Sequence, residues 1–202
     1  MKKYFLVPNH PIATCIEIDC SGCTLQNKVH CHFNGRDLLR FLLIAFPPFI
    51  TGGIGIAQVN AWLLLPWIGI ILGFFGFLEI RVMCSHCPHY AEPTTKTLQC
   101  WANYGSPKLW RYRPGPMNTG EKFFFLSGIG LVAAYPLAFL VFSANWILLV
   151  VFTAFMLVMG VSMRYGLCNQ CMNFACPFNR VSPKTRLMFF ARNPVVDEAW
   201  EK

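Results

Sequence analysis

The sequence predicts an all-α integral membrane protein with four transmembrane helices, arranged as two tandem hairpin repeats. Hydrophobic residues make up 55% of the 202 residues and charged residues 13%, against about 25% charged in an ordinary soluble domain. Charge is also segregated, because no Lys, Arg, Asp, Glu or His lies within residues 42–77 or 123–163. Each window has room for two helices of about 20 residues. A soluble all-α protein with two buried hairpins is the alternative, and it is disfavoured because soluble helices need a polar face.

The second observation is an internal repeat at an offset of 84 residues. It pairs Cys84 and Cys87 with Cys168 and Cys171, and it also pairs Trp62 with Trp146. We interpret the repeated unit as a helix start, a membrane hairpin and a Cys-x-x-Cys turn. The four spans are expected at residues 38–57, 61–80, 123–142 and 146–163. The chain then divides into a Cys/His-rich N-terminal segment (1–33), repeat 1 (34–93), an aromatic and basic loop (94–117), repeat 2 (118–177) and a basic interfacial tail (178–202).

The distribution of basic residues predicts the orientation. None of the 17 Lys and Arg residues lies in the short turns at 58–60 and 143–145. The positive-inside rule therefore places both termini and the central loop in the cytoplasm, across an inner or plasma membrane. The first residues lack the apolar stretch of a signal peptide, so we expect the first span to be retained. The net charge of +8 suits contact with the lipid bilayer, and nucleic acid is not an expected partner.

Ten cysteines lie in the segments assigned to the cytoplasm, where disulfides are disfavoured and metal ligation or thiol chemistry is favoured. They form three runs, two of which contain the repeated Cys-x-x-Cys turn that can present two sulfurs to one cation. We predict a metal site with these candidate ligands: Cys15, Cys20, Cys23, Cys31, Cys84, Cys87, Cys100, Cys168, Cys171, Cys176, His86 and His89.

The identity of the cofactor and the grouping of its ligands stay open at this stage. The histidines among the cysteines suit zinc, whereas runs of three or more cysteines and the Cys-Pro pairs are typical of iron–sulfur clusters. If the repeats are related by an axis along the membrane normal, the two Cys-x-x-Cys turns either share one four-sulfur site or complete two separate sites. In the second case each site borrows a ligand from the N-terminal segment.

The central loop combines aromatic and basic side chains, among them Trp101, Trp110, Arg111 and Arg113. We expect this stretch to lie on lipid head groups. The more specific hypothesis is that it forms a pocket for an anionic or aromatic ligand, such as the head group of a quinone. The tail at 180–192 is also expected at the interface.

The spans lack ionisable residues away from their ends, which excludes a bis-His haem held by this chain within the bilayer. Glu79 and Arg81 at the end of the second span are expected to be interface anchors. Prolines 47, 48 and 136 are expected to kink the first and third spans. Gly69, Gly73 and Gly76 are expected to form a close-packing face.

Together these features predict a membrane protein with cysteine-ligated metal at the cytoplasmic face, acting as an electron-transfer or anchor subunit. Its expected partners are a soluble cytoplasmic redox protein and a quinone. One alternative is a zinc-stabilised scaffold that docks a cytoplasmic protein, and another is a thiol-disulfide oxidoreductase. The sequence leaves open whether the chain is an enzyme.

Overall fold

The computed structural model describes residues 9–201, and those residues form helices and loops without a strand. Four helices in this part of the chain are long and apolar enough to cross a membrane: Gly35–Val59, Ala61–His86, Thr119–Phe142 and Trp146–Leu167. The four predicted spans all fall within these limits. The prediction of an all-helical fold with four helices able to span a membrane is therefore confirmed.

The spans differ in regularity. Helices α1 (Gly35–Val59) and α4 (Thr119–Phe142) are continuous. The second span contains a 3-10 turn (Ala61–Leu63), α2 (Leu64–Gly73), a π-helical turn (Phe74–Leu78), α3 (Glu79–Val82) and a second 3-10 turn (Cys84–His86). The fourth span contains α5 (Trp146–Ser162) and a π-helical turn (Met163–Leu167). Both π-helical turns lie just before cysteine pairs, and such turns are frequent at functional sites.

Asparagine side chains cap the beginning of the first and third spans. Asn118 accepts a hydrogen bond from the Glu121 N–H, while the Glu121 carboxylate accepts one from the Asn118 N–H, which forms a capping box. Asn34 accepts a hydrogen bond from the Arg36 N–H. The acid that follows it, Asp37, lies 3.3 Å from His30 Nδ1 instead. The start of α1 is thereby joined to the N-terminal segment.

The bundle is closely packed where α1 meets α4 and α5. A Cβ atom on Gly52 would lie 3.0 Å from Pro136 Cβ and 3.2 Å from Phe152 Cε2. The prediction of a close-packing face in the second span is wrong within this chain, because a Cβ on Gly69, Gly73 or Gly76 would meet no atom within 4 Å. The side chain of Phe74 fills that role there, since it lies directly against Gly128 on α4.

The two short turns lie together at one end of the bundle, where Asn145 Nδ2 donates a hydrogen bond to Gln58 Oε1 at 2.8 Å. The remaining segments fold together at the opposite end. There the tail forms α6 (Pro183–Phe190) and α7 (Pro194–Trp200). Phe189 and Phe190, expected on lipid head groups, are buried against the N-terminal segment and pack on Phe174. All ten cysteines belong to this end of the molecule.

Candidate metal and ligand site

Six cysteines from three separate stretches of the chain line one cavity of about 430 Å³ at the end of the bundle. They are Cys84, Cys87, Cys100, Cys168, Cys171 and Cys176. The 3-10 turn after α3 positions the first two, and the turns after α5 position the last three. The structure thus brings the two Cys-x-x-Cys turns, whose grouping the sequence leaves open, to one cavity that Cys100 and Cys176 also line.

The thiols of this six-cysteine group lie within electrostatic range of one another. Cys87 interacts with Cys100 and Cys176, while Cys171 interacts with Cys87, Cys176 and Cys168. Burial, reinforced by neighbouring sulfurs, raises the pKa of Cys87 and Cys171 well above their ordinary range. Burial also raises the pKa of Cys100 to about 11 and that of Cys176 to about 12. Without a nearby cation, these side chains are neutral thiols at pH 7.

The same cavity continues between the membrane spans, where its walls are apolar. Its lining there comes from all four spans and includes Phe49, Trp67, Pro136, Phe152 and Met156. Trp67 is buried, and its indole N–H donates to the Val132 carbonyl at 3.0 Å, which fixes the ring in the wall. The cavity therefore has a sulfur-rich end and an apolar end.

Other polar side chains also line the cavity, and sequence reasoning did not place them there: Glu79, Asn103, Arg164, Asn173, Asn179 and Arg180. Glu79, expected to be an interface anchor, is instead 7% exposed and faces the site. Asn103 Nδ2 contacts both Glu79 Oε1 at 3.4 Å and Cys84 Sγ at 3.3 Å. Asn173 is also buried and donates to the Met83 carbonyl at 3.1 Å. The position of Glu79 at the end of an apolar span was the available signal, because an acid there is either exposed or functional.

The N-terminal cysteines form a second group. Cys15, Cys20, Cys23 and Cys31 all lie within electrostatic range of one another. Gly22 has φ +72° inside the Cys20–Cys23 turn, a left-handed conformation that glycine adopts readily. Burial is the main cause that raises the pKa of Cys31 to about 12. The four residues thus converge without a ligand from the repeats.

A short bridge of polar and apolar contacts joins the two cysteine groups. His30, next to Cys31, donates its backbone N–H to the Gln170 carbonyl at 2.7 Å, and its ring hydrogen-bonds to the Gln170 side chain. His89 bonds to the backbone of His30. Burial lowers the pKa of His89 to about 3, so its ring is neutral at pH 7. Cys87 packs in the same hydrophobic cluster as Cys15, Cys23 and Cys31.

The two histidines proposed as ligands have different surroundings. His89 lines the cavity, whereas His86 is absent from its lining in the described residues. His86 Nδ1 lies 2.8 Å from the Gly115 carbonyl, and its Nε2 lies 3.2 Å from a Glu121 carboxylate oxygen. Glu121 also pairs with Arg113 and lies 3.6 Å from Arg81. His86 therefore joins the central loop to α4, and we assign it to this network rather than to the metal site.

The aromatic and basic residues of the central loop also separate into different roles. Trp101 is buried, lines the cavity and contacts Phe41 edge-on. Trp110 is half-buried against Phe77. Arg111 is exposed, and Arg113 is bound to Glu121, Ser85 and the Arg81 carbonyl. Of these four, only Trp101 lines the cavity.

Within residues 9–201, no three His, Cys, Asp or Glu side chains are arranged to hold a single metal ion as they stand. In each of the two cysteine groups the thiols lie close to one another, and the six-cysteine group lines the cavity. No protein-family model, no curated protein and no solved structure matches this chain.

Proposed function

We propose that this chain is a membrane electron-transfer protein with cysteine-ligated metal centres at the cytoplasmic face. It passes electrons between a soluble redox partner and a quinone in the bilayer. The single observation that carries the proposal is the cavity itself, because six cysteines from three stretches meet at one end and the other end enters the apolar bundle. A redox centre placed there would lie beside a pocket open to lipid-soluble molecules.

The protonation state of the thiols supports the proposal of a bound metal. Cys87 is buried, and the half-buried Cys100, Cys171 and Cys176 line the same cavity. Their raised pKa values mean that their ionisation is disfavoured in the chain alone. A bound cation reverses this preference, because it stabilises thiolates and releases their protons. The cysteines also lie in segments assigned to the reducing cytoplasm, where disulfide bonds would not persist. Iron–sulfur clusters use such sets of cysteine thiolates.

The grouping of the cysteines supports two centres. The N-terminal group supplies four sulfurs, the number that one iron–sulfur cluster needs. The six-cysteine group supplies enough for a second cluster. The bridge through His30, Gln170 and His89 holds the two groups next to each other. In this arrangement the N-terminal centre receives electrons from the soluble partner, and the second centre exchanges them with the quinone.

Two other functions remain as alternatives. A zinc-stabilised scaffold is favoured by the neutral ring of His89 at the sulfur-rich end, because zinc takes mixed Cys/His sets. A thiol-disulfide oxidoreductase is disfavoured, since its attacking cysteine needs a lowered pKa. The resolved shifts in the six-cysteine group outside the spans are all upward.

The test is the metal and acid-labile sulfide content, with an optical spectrum, of protein purified in detergent without oxygen. Iron with sulfide, and visible absorption bleached by dithionite, is the expected result. Stoichiometric zinc without colour would replace electron transfer by the scaffold. Protein with neither metal and with ten titratable thiols would reject both metal proposals.

Paired variants test the two-centre arrangement. Cys15→Ser with Cys23→Ser should remove one centre and leave the other bleachable, and Cys87→Ser with Cys171→Ser should do the converse. Asn169→Ser is the matched control, because Asn169 is exposed inside the Cys168–Cys171 turn. If either double variant removes all of the metal while the control retains it, the ten cysteines form one shared site.

A further inference from the structure

The cavity contains two buried oxygen atoms that have no hydrogen-bond partner in the described part of the chain. They are Glu79 Oε2 and Asn173 Oδ1. Both residues line the cavity, and they are 7% and 5% exposed. Buried polar atoms without a partner are rare in native proteins because they lose their hydrogen bonds to water. A pair of them in one cavity points to a ligand that supplies the missing partners.

The chemistry of these two atoms is defined by their neighbours. The Asn173 amide nitrogen donates to the Met83 carbonyl at 3.1 Å, so Oδ1 is the atom left for another partner, and it can only accept. One Glu79 oxygen accepts from Asn103 at 3.4 Å, which leaves Oε2. Met83 donates its backbone N–H to the Glu79 carbonyl at 2.8 Å, so the residue that holds the Asn173 amide lies one helical turn after Glu79. Asn173 Oδ1 therefore calls for a hydrogen-bond donor, and so does Glu79 Oε2 when the carboxyl group is ionised.

We propose that the cavity binds a lipid-soluble hydroquinone, with its ring hydroxyls donating to Glu79 and Asn173 and its ring lying against the apolar wall. This inference rests on the proposed function and specifies the form of its quinone partner. A hydroquinone carries two O–H donors, whereas the oxidised quinone carries only acceptor carbonyls and would leave Asn173 Oδ1 and an ionised Glu79 carboxylate unpaired. The cavity volume of about 430 Å³ is in the range of small-molecule sites.

The apolar wall distinguishes this ligand from water. Waters could pair with the two oxygens at the polar end, but a buried water needs two to four polar partners, and the part of the cavity formed by Phe49, Trp67 and Phe152 offers none. An aromatic ring satisfies this surface and leaves only its hydroxyls for the polar end. The structure thus matches a molecule with an apolar ring and hydroxyl donors for the two protein oxygens.

The test measures binding of tetramethylhydroquinone to the detergent-solubilised protein by titration calorimetry without oxygen. The comparison ligand is its dimethyl ether, which has the same ring but no O–H donor. Wild-type protein should bind the hydroquinone at least about tenfold more tightly, which is the effect of one hydrogen bond of about 1.4 kcal/mol. Equal binding of the two ligands, or binding of neither, would overturn the proposal.

Variants locate the effect. Glu79→Met and Asn173→Leu each remove one acceptor at similar size, and each should reduce the preference for the hydroquinone while binding of the ether persists. Glu198→Met is the matched control on the exposed part of α7. Ala133→Trp fills the cavity wall and should abolish binding of both ligands. A preference that survives both acceptor variants, or binding that survives Ala133→Trp, would place the ligand elsewhere.

The experiment separates this proposal from the metal proposal. It is performed on protein as purified and on chelator-treated protein, with the metal content measured on the same samples. Absence of metal with an intact preference for the hydroquinone would reject the electron-transfer proposal and keep the binding site. Metal with no preference would do the reverse.

Discussion

Replacing Gly128 by alanine should destabilise the bundle. A Cβ atom at this position on α4 would lie within 3.2 Å of three ring carbons of Phe74, two of them far inside contact distance. The ring would have to move by roughly 1 Å to regain normal contact. Phe74 is 4% exposed and packs on Phe75 and Phe125, with ring centroids 4.9 Å and 6.2 Å away, so this movement displaces other side chains. Overpacking of this kind costs about 1–3 kcal/mol.

Gly130 provides the matched control on the same helix, because a Cβ there would meet nothing within 4 Å. Both substitutions change helix propensity equally, by up to about 1 kcal/mol in favour of alanine. The difference between the two variants therefore isolates the cost of overpacking. Unfolding in mixed micelles with increasing sodium dodecyl sulfate, followed by circular dichroism, should show Gly128→Ala below Gly130→Ala by about 1–3 kcal/mol. Equal stabilities would refute the close contact between Phe74 and α4.

Three further outcomes are expected. Glu121→Gln should lower the free energy of unfolding by about 1–3 kcal/mol and increase hydrogen exchange in the central loop, because it weakens the pairing with Arg113. Lys122→Gln, at the exposed neighbouring position, should change neither quantity. In chelator-treated protein at pH 8, Cys100 should be alkylated about 100-fold more slowly in the folded than in the unfolded state. The reason is that burial raises its pKa from 9.0 to about 11. Equal rates would contradict its burial. The stabilising effect of that raised pKa is complete below pH 9 and is lost as the pH rises towards 11, so chemical unfolding should become easier across that window. Asn193→Ala should destabilise the packing of the two chain ends by about 1–3 kcal/mol, measured by thermal unfolding, because Asn193 is 1% exposed and accepts a hydrogen bond from Thr14 at 2.7 Å.

The membrane spans could be predicted from the sequence because the bilayer imposes a simple requirement. Apolar stretches of about 20 residues without charge have few other uses, and the limits of the four helices follow the asparagine caps and short turns closely. The equal positions of Cys84, Cys87, Cys168 and Cys171 at the ends of spans predicted that they lie at the same end of the bundle, but not that they line one cavity. The membrane orientation and the duplication stay predictions.

The detail of the site could not be predicted, because it depends on contacts between distant segments. Glu79 becomes a cavity residue only because the loop carrying Asn103 folds over it. The central loop likewise turns Trp101 inward while Arg111 stays outside, although the two have similar sequence surroundings. The prediction that Gly69 belongs to a close-packing face was wrong for a similar reason. Glycine permits another helix to approach closely, but whether one does depends on the tertiary structure.

The contact between Thr14 and Asn193 determines when the N-terminal segment can pack during synthesis of the chain. These residues are separated by 179 positions. The tail helices that pack against the N-terminal cysteines are therefore synthesised long after those cysteines. Ile16 likewise donates its N–H to the Arg192 carbonyl at 3.0 Å. The four apolar helices precede the tail in the chain, so they are synthesised before the N-terminal cysteines can be covered. The packing around those cysteines therefore forms late, once the residues around Asn193 have been synthesised.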